Sequence, residues 1–331
     1  MLVVTPNLCI DRTIQIEELV PGGVSRPQRA AVTLGGKGVN VARVGRALGH
    51  EVPVVGFVPE GDAERLRALA VAEGAQLVEV PVAGEARVAT ILIEASGRVT
   101  VLNEPGPDVD AACWQRLVER LRALLPSHST MACSGSVPPG SPPETYATCV
   151  EAAHAAGSFA VVDGQVQALA AALGAEPDVV TPNLAEAEAV LVGSAGELVE
   201  PSGPDVAERS IESARALVSR GARHAVVTAG SRGAAYASSR GELAWCAAPV
   251  VEVRNPVGAG DALVGGLLDR IEAGDSVAEA VRVAVAVASA SCEQDLAGGL
   301  DPARALALSA LVSMAPFPGN AAAGAPPAGR R

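Results

Sequence analysis

MACSGSVPPGSPPETYATCVEAAHAAGSFAVVDGQVQALAAAL, residues 131–173, decides the fold class. The apolar run Met131–Ser134 is followed by a helical pattern near Pro143–Ala156. A second run, Phe159–Asp163, is followed by another helical pattern, Val166–Leu173. Short runs without polar alternation are buried on both faces, and each leads into a helix. That combination predicts a parallel sheet with helices packed on its faces.

The rhythm continues downstream. Val179–Thr181 precedes a helix at Ala185–Leu191, and a helix from about 205 to 220 precedes a strand at Ala225–Thr228. Strands at 234–238, 243–246 and 250–253 are expected before helices near 262–272, 276–291 and 302–312. Upstream, strands are expected at 3–5, 52–58 and 76–82, and helices at 39–48, 63–73 and 112–125. The alternating segments 12–18, 29–34, 87–93 and 98–103 do not fit the βα rhythm. They read as half-exposed antiparallel strands of a small sheet projecting from the main body. The expected unit is a single domain over residues 1–314, with strands inserted at about 12–34 and 87–103. The tail from Ala315, rich in Pro, Gly and Ala, is expected to be disordered.

Acidic residues outnumber basic ones 37 to 25, a net charge of −12. Such a chain is poorly suited to nucleic acid or anionic lipid, which favours small-molecule chemistry. The longest apolar stretch, 277–292, carries Glu279 and Arg282 and is too short to span a bilayer. Six Cys and four His are scattered without metal-ligand spacing, and no signal peptide is visible, so a cytoplasmic protein is expected. Of the 25 basic residues only one, Lys37, is lysine.

Three segments could carry chemistry. Asn255-Pro-Val-Gly-Ala-Gly-Asp261 is a glycine loop opening an apolar helix, where backbone N–H groups and the helix dipole favour an anion. Asp261 at that point reads equally as a functional carboxylate or as a helix N-cap. Leu34-Gly-Gly-Lys-Gly-Val-Asn40 again sets glycines before a helix, with Lys37 at its mouth. In a chain that otherwise uses Arg, a lone Lys between glycines suggests a site needing a compact ammonium; a solvated turn lysine is the alternative. Thr181-Pro-Asn183-Leu-Ala-Glu186 lies at a strand end, where α/β sheets bind ligands. Its spacing suits Mg²⁺ held through water but favours a capping box. No Walker A motif occurs, and no GxGxxG follows the first strand, which removes a Rossmann dehydrogenase.

Together these segments resemble the ribokinase-like (PfkB) carbohydrate kinases. Gly35-Gly-Lys-Gly-Val-Asn-Val-Ala42 is similar to the family's N-terminal signature and Val257-Gly-Ala-Gly-Asp261 to its C-terminal one. Thr5-Pro-Asn-Leu-Cys-Ile-Asp11, Ser134-Gly-Ser-Val-Pro-Pro-Gly140, Pro182-Asn-Leu-Ala-Glu186 and Thr228-Ala-Gly-Ser-Arg-Gly233 resemble further family elements in family order. The opening NLCID, the Arg87 strand and the SGS turn point to the 1-phosphofructokinase and tagatose-6-phosphate kinase group.

The resemblance implies a three-layer α/β/α core with a mostly parallel central sheet and a small β-sheet lid. It implies transfer of the ATP γ-phosphate to a hydroxyl of a phosphorylated ketohexose, most readily fructose 1-phosphate, with Mg²⁺. Asp261 would be the general base, and Gly258, Ala259 and Gly260 the anion hole. Asp11, Gly36 and Asn40 would hold the sugar, and Lys37 and Arg87 its phosphate. Thr228, Gly230 and Gly233 would lie on the nucleotide side, with Asn183 and Glu186 organising Mg²⁺ through water. A homodimer through the lid is implied as well. Other acceptors (tagatose 6-phosphate, fructose 6-phosphate, an unphosphorylated sugar) and a non-catalytic sugar-phosphate sensor are the alternatives. The sequence departs from the family pattern at Leu8, usually Pro, and at Pro256, commonly Thr, where some relatives bind a monovalent cation. It departs also at Asp163-Gly-Gln and at Thr181, on the nucleotide side.

Overall fold

The computed structural model describes residues 1–193 and 202–317. Its strands are β1 (Leu2–Val4), β2 (Cys9–Ile16), β3 (Arg29–Gly35), β4 (Pro53–Pro59), β5 (Gln76–Val82), β6 (Arg87–Glu94) and β7 (Val99–Asn103). They continue as β8 (Thr130–Gly135), β9 (Phe159–Gly164), β10 (Val179–Val180), β11 (His224–Thr228), β12 (Gly233–Ser238), β13 (Leu243–Ala247) and β14 (Met314–Pro316). The helices are α1 (Lys37–Ala47), α2 (Ala63–Glu73), α3 (Ala111–Leu124), α4 (Thr145–Ala155) and α5 (Val166–Ala172). After them come α6 (Leu184–Val192), α7 (Val206–Ser219), α8 (Ala259–Glu272), α9 (Val277–Cys292) and α10 (Pro302–Ser309).

Ten strands form one sheet in the order β14-β13-β12-β11-β10-β9-β8-β1-β4-β5. From β11 to β5 all neighbours are parallel, and the three strands beyond β11 are antiparallel. The continuous apolar runs follow from burial on both faces. In β1, Val3 joins the core beneath α1, α2 and α8–α10, while Leu2 and Val4 join the core beneath α3–α7. Both edge strands carry a proline, Pro81 in β5 and Pro316 in β14.

The second sheet, in the order β3-β2-β6-β7, covers the cleft as a lid. It starts at Cys9, earlier than expected. Its centre also differs from expectation, because β2 and β6 run parallel while the outer pairs are antiparallel. The two central strands come from different crossovers, so no hairpin joins them. Paired residues share a face. Asp11, Ala89 and Asn103 lie in one row, and Val32, Arg12, Thr90 and Leu102 lie in the next, which faces the opposite way.

Other expectations need correcting. Residues 250–253 alternate like a strand but form none, and Val250 is 99% exposed. The helix expected at 302–312 ends at Ser309. The expected tail does not begin at 315, since Ala315 pairs with Trp245 and Pro316 with Ala244. The rest of that tail, 318–331, lies outside the described residues.

Candidate active site

The cleft between lid and sheet has a volume of about 810 Å³, and residues from both glycine loops line it. It opens at the carboxyl ends of β1, β8, β9 and β11, where a parallel sheet leaves helix N-termini and loops facing one crevice.

The first turn of α8 forms its floor. Gly258 is the N-cap residue, at φ +85, a conformation that disfavours any side chain. The cap is therefore a glycine and not Asp261. Asp261 lies within the first turn, 5% exposed, and its Oδ2 accepts a 2.7 Å hydrogen bond from Asn40 Nδ2. Burial pushes its carboxyl up to about 7; Lys37 opposes the shift, Asp163 adds to it, and the Asn40 bond opposes it. Asn255 braces the loop ahead of the helix. Its Oδ1 accepts from Val257 N–H at 3.0 Å and its Nδ2 donates to the Asp295 carbonyl at 3.1 Å.

The second wall is the start of α1. Gly36, at φ +120, lets the chain turn from β3 into the helix. Gly38 lies so close to β1 that a Cβ there would come within 2.6 Å of Val3 Cγ1. Lys37, 40% exposed, places Nζ 3.4 Å from Asp163 Oδ2 and 3.7 Å from Glu186 Oε1. Burial alone would pull its ammonium down, but the Asp163, Glu186 and Asp261 carboxylates outweigh that and raise it. Lys37 was expected, with Arg87, to meet the phosphate already on the substrate. Both line the cleft, and the ion-pair partners of Lys37 lie at the end of β9 and the start of α6, none of them shared with Arg87.

The lid supplies the third wall. Asp11 is 7% exposed and accepts a 3.1 Å hydrogen bond from Cys9 Sγ; burial raises its pKa, and that bond opposes the rise. Arg87, paired with Cys9 across the sheet, donates through Nε to the Asn7 carbonyl at 3.1 Å and through Nη1 to Asn103 Oδ1 at 3.5 Å. Asn7 in turn donates to Ser136 Oγ at 3.0 Å, and its own Oδ1 has no partner.

Asn183 and Glu186 form the capping box that the spacing favoured. Asn183 Oδ1 accepts from Glu186 N–H at 2.8 Å, and Glu186 Oε2 accepts from Asn183 N–H at 3.0 Å. That leaves Glu186 Oε1 facing Lys37, so capping and a role in the cleft are compatible. Among the described residues no three His, Cys, Asp or Glu converge as a ready metal site. The donors do fit an ion that takes most of its ligands from phosphates and water. Asp163 Oδ2 is buried with the Lys37 ammonium 3.4 Å away, Glu186 Oε1 faces the same ammonium, and all the donors are hard oxygens.

Of the expected nucleotide-side residues, Thr228 lines the cleft, while Gly230 and Gly233 lie on the turn beyond it. Gly233 has a packing reason, because a Cβ there would stand 2.0 Å from the Cys246 carbonyl oxygen. Asp163, Asn7, Ser136 and Asn103 were missed as site residues. Asp163 had a readable signal, an acid at the end of a parallel strand. Asn103 had none, because only the lid's strand pairing brings it to Arg87.

The profile of the pfkB family carbohydrate kinases matches residues 4–304. The 1-phosphofructokinase of Escherichia coli K12 is 33% identical over 319 residues, covering 95% of this chain and 97% of the relative. That of Haloferax volcanii is 33% identical over 290 residues, covering 87% and 90%. Among solved structures, phosphofructokinase-2 from Escherichia coli in complex with potassium superposes with a TM-score of 0.81 at 26% identity, covering 94% of this chain and 98% of that one. No helix among the described residues is long and apolar enough to cross a membrane. With a matching profile over nearly its whole length, 1-phosphofructokinase relatives at 33% identity and a buried acid in the first turn of a helix behind a glycine loop, the chain belongs to the pfkB family of carbohydrate kinases, phosphotransferases whose acceptor is a sugar hydroxyl.

Proposed function

We propose that the enzyme transfers the γ-phosphate of ATP to a hydroxyl of fructose 1-phosphate, giving fructose 1,6-bisphosphate and ADP. The carrying observation is Asp261, a buried carboxyl with a pKa near 7, oriented by Asn40 in the first turn of the helix behind the glycine loop. A base poised near neutral pH takes the acceptor hydroxyl proton as its oxygen attacks the γ-phosphorus. The N–H groups of Gly258, Ala259 and Gly260 stabilise charge on the phosphoryl group in flight. Asp11, Gly36 and Asn40 hold the sugar.

Arg87, with Asn103, Asn7 and Ser136 around it, is assigned to the phosphate already on the substrate. Lys37, whose partners lie on the nucleotide side, is assigned to the phosphate being transferred. Thr228 borders the nucleotide. Asn183 and Glu186 would hold Mg²⁺ through water, and the ion would supply charge neutralisation on the phosphate oxygens. The 1-phosphofructokinase relatives support fructose 1-phosphate over other acceptors. Six free thiols fit a cytoplasmic site of action. The outward row Val32–Arg12–Thr90–Leu102, with Val32 43% and Leu102 59% exposed, supports pairing of two lids in a homodimer.

ADP release with Mg²⁺, ATP and a panel of sugars and sugar phosphates tests this reading. Turnover should be fastest with fructose 1-phosphate, and no turnover with any phosphosugar would overturn it. Arg87→Ala should raise KM for the phosphosugar by about tenfold or more and leave any turnover of plain sugars nearly unchanged.

A further inference from the structure

Arg43 does not line the cleft, yet the path from the lid to Asp261 runs through it. Its side chain is 6% exposed, and each of its five N–H donors has an acceptor. Nε donates to Glu73 Oε2 at 2.9 Å, and Nη2 donates to the same oxygen at 2.6 Å and to the Leu34 carbonyl. Nη1 donates to the Ala297 carbonyl at 3.1 Å and to Asn40 Oδ1 at 2.6 Å. Glu73, the last residue of α2, uses its other oxygen to accept the Leu34 N–H at 2.7 Å. The pair thus binds the end of lid strand β3, the start of α1 and the loop after α9 into one polar cluster.

The contact with Asn40 carries the chemical consequence. An amide side chain can present either its carbonyl or its NH₂ to a given neighbour. A guanidinium has donors only, so Arg43 must face the Asn40 carbonyl. That leaves Asn40 Nδ2 for Asp261 Oδ2, 2.7 Å away. The backbone also confines Asn40. Gly298 follows Ala297 at φ +70, and a Cβ there would come 2.7 Å from the Asn40 carbonyl oxygen.

We propose that Arg43, aimed by Glu73, is a positioning residue that holds the Asn40 amide in the one orientation that donates to Asp261. The inference rests on Asp261 being the base. Without the guanidinium, Asn40 is free to turn its carbonyl toward the carboxyl, which removes a donor to the charged form and makes ionisation harder. The other charged groups facing Asp261 are Lys37 from α1, Asp163 from β9 and Asp11 from β2, and changing Arg43 leaves all three in place.

Arg43→Lys keeps the charge but loses the fork. The acid limb of kcat/KM should move up by about one pH unit, and kcat should fall. Carbon-13 NMR titration of the Asp261 carboxyl should show the same upward shift without relying on catalysis. Should Arg43→Lys fail to fold, Glu73→Gln carries the test. Its guanidinium loses the partner that aims it, and the limb should move the same way by a smaller step. An unmoved limb and an unmoved carboxyl titration in the folded variant would overturn the proposal, even if Tm fell. Asp261→Asn separates the two readings. If that variant stays active, the base assignment fails; if it is inactive while the Arg43→Lys limb is unmoved, only the positioning role fails.

Discussion

At the scale of single residues, burial keeps three carboxyls in and beside the cleft from ionising easily. Asp261, Asp11 and Asp163 all have pKa values raised first by burial. For Asp261 the folded pKa of about 7 lies above that of the unfolded chain, near 3.8. Its ionisation therefore costs stability, increasingly as pH rises from about 4 through about 7. Asp261→Asn should lower kcat on the order of 10³-fold while raising Tm, with the larger gain at pH 8 than at pH 4.5. A calorimetric series across pH would refute this if the variant were less stable at pH 8. The parent's kcat/KM should fall as pH drops through about 7. Lys37→Arg is the second test at this scale. A guanidinium is too broad to replace an ammonium 3.4 and 3.7 Å from two carboxylates in a glycine turn, so kcat should fall by about tenfold or more. Full activity would make the lone lysine of the chain an accident of composition.

At the scale of elements, α1 and α8, which carry Asn40 and Asp261, meet closely at a glycine. Gly265 in α8 faces α1, and a Cβ there would lie 2.7 Å from Val44 Cγ1 and 3.2 Å from the Val41 carbonyl oxygen. Gly265→Ala should wedge α8 away from α1, costing ~1–3 kcal/mol and lowering Tm by several degrees. Because Asn40 and Asp261 sit on those two helices, kcat should drop with it; an unchanged Tm would show that the helices can separate at no cost. Much of this layer was legible. Helix 63–73 and strand 76–82 match their expected bounds because glycines in the left-handed region, Gly74 and Gly84, follow each closely and break the chain direction. The misses share one physical cause, dependence on partners far away in the chain. Met314–Pro316 is too short to show a period and becomes a strand only against β13, whereas 250–253 alternates but has no strand beside it. The glycine loops were legible for the same reason the helices were, since their constraints are local. Lys37's choice of Asp163 and Glu186 was not, because three separate crossovers bring those side chains together.

At the scale of the whole molecule, the lid roofs the cleft over the core and carries Asp11 and Arg87 on one face and the exposed side chains of Val32 and Leu102, flanking Arg12 and Thr90, on the other. Two lids meeting through Val32 and Leu102 would stiffen a four-stranded sheet that has little else behind it. Leu102→Asp should convert the dimer to a monomer in light scattering and raise KM for the sugar phosphate several-fold. A parent enzyme that is monomeric at micromolar concentration would refute the pairing. The large sheet faces the opposite problem, because an open edge is a template for further strands. Its two borders are closed by Pro81 and Pro316, residues with no N–H to offer a neighbour. Each border of the ten-stranded sheet thus carries one imino acid that cannot donate to a further strand, and neither of them lines the cleft.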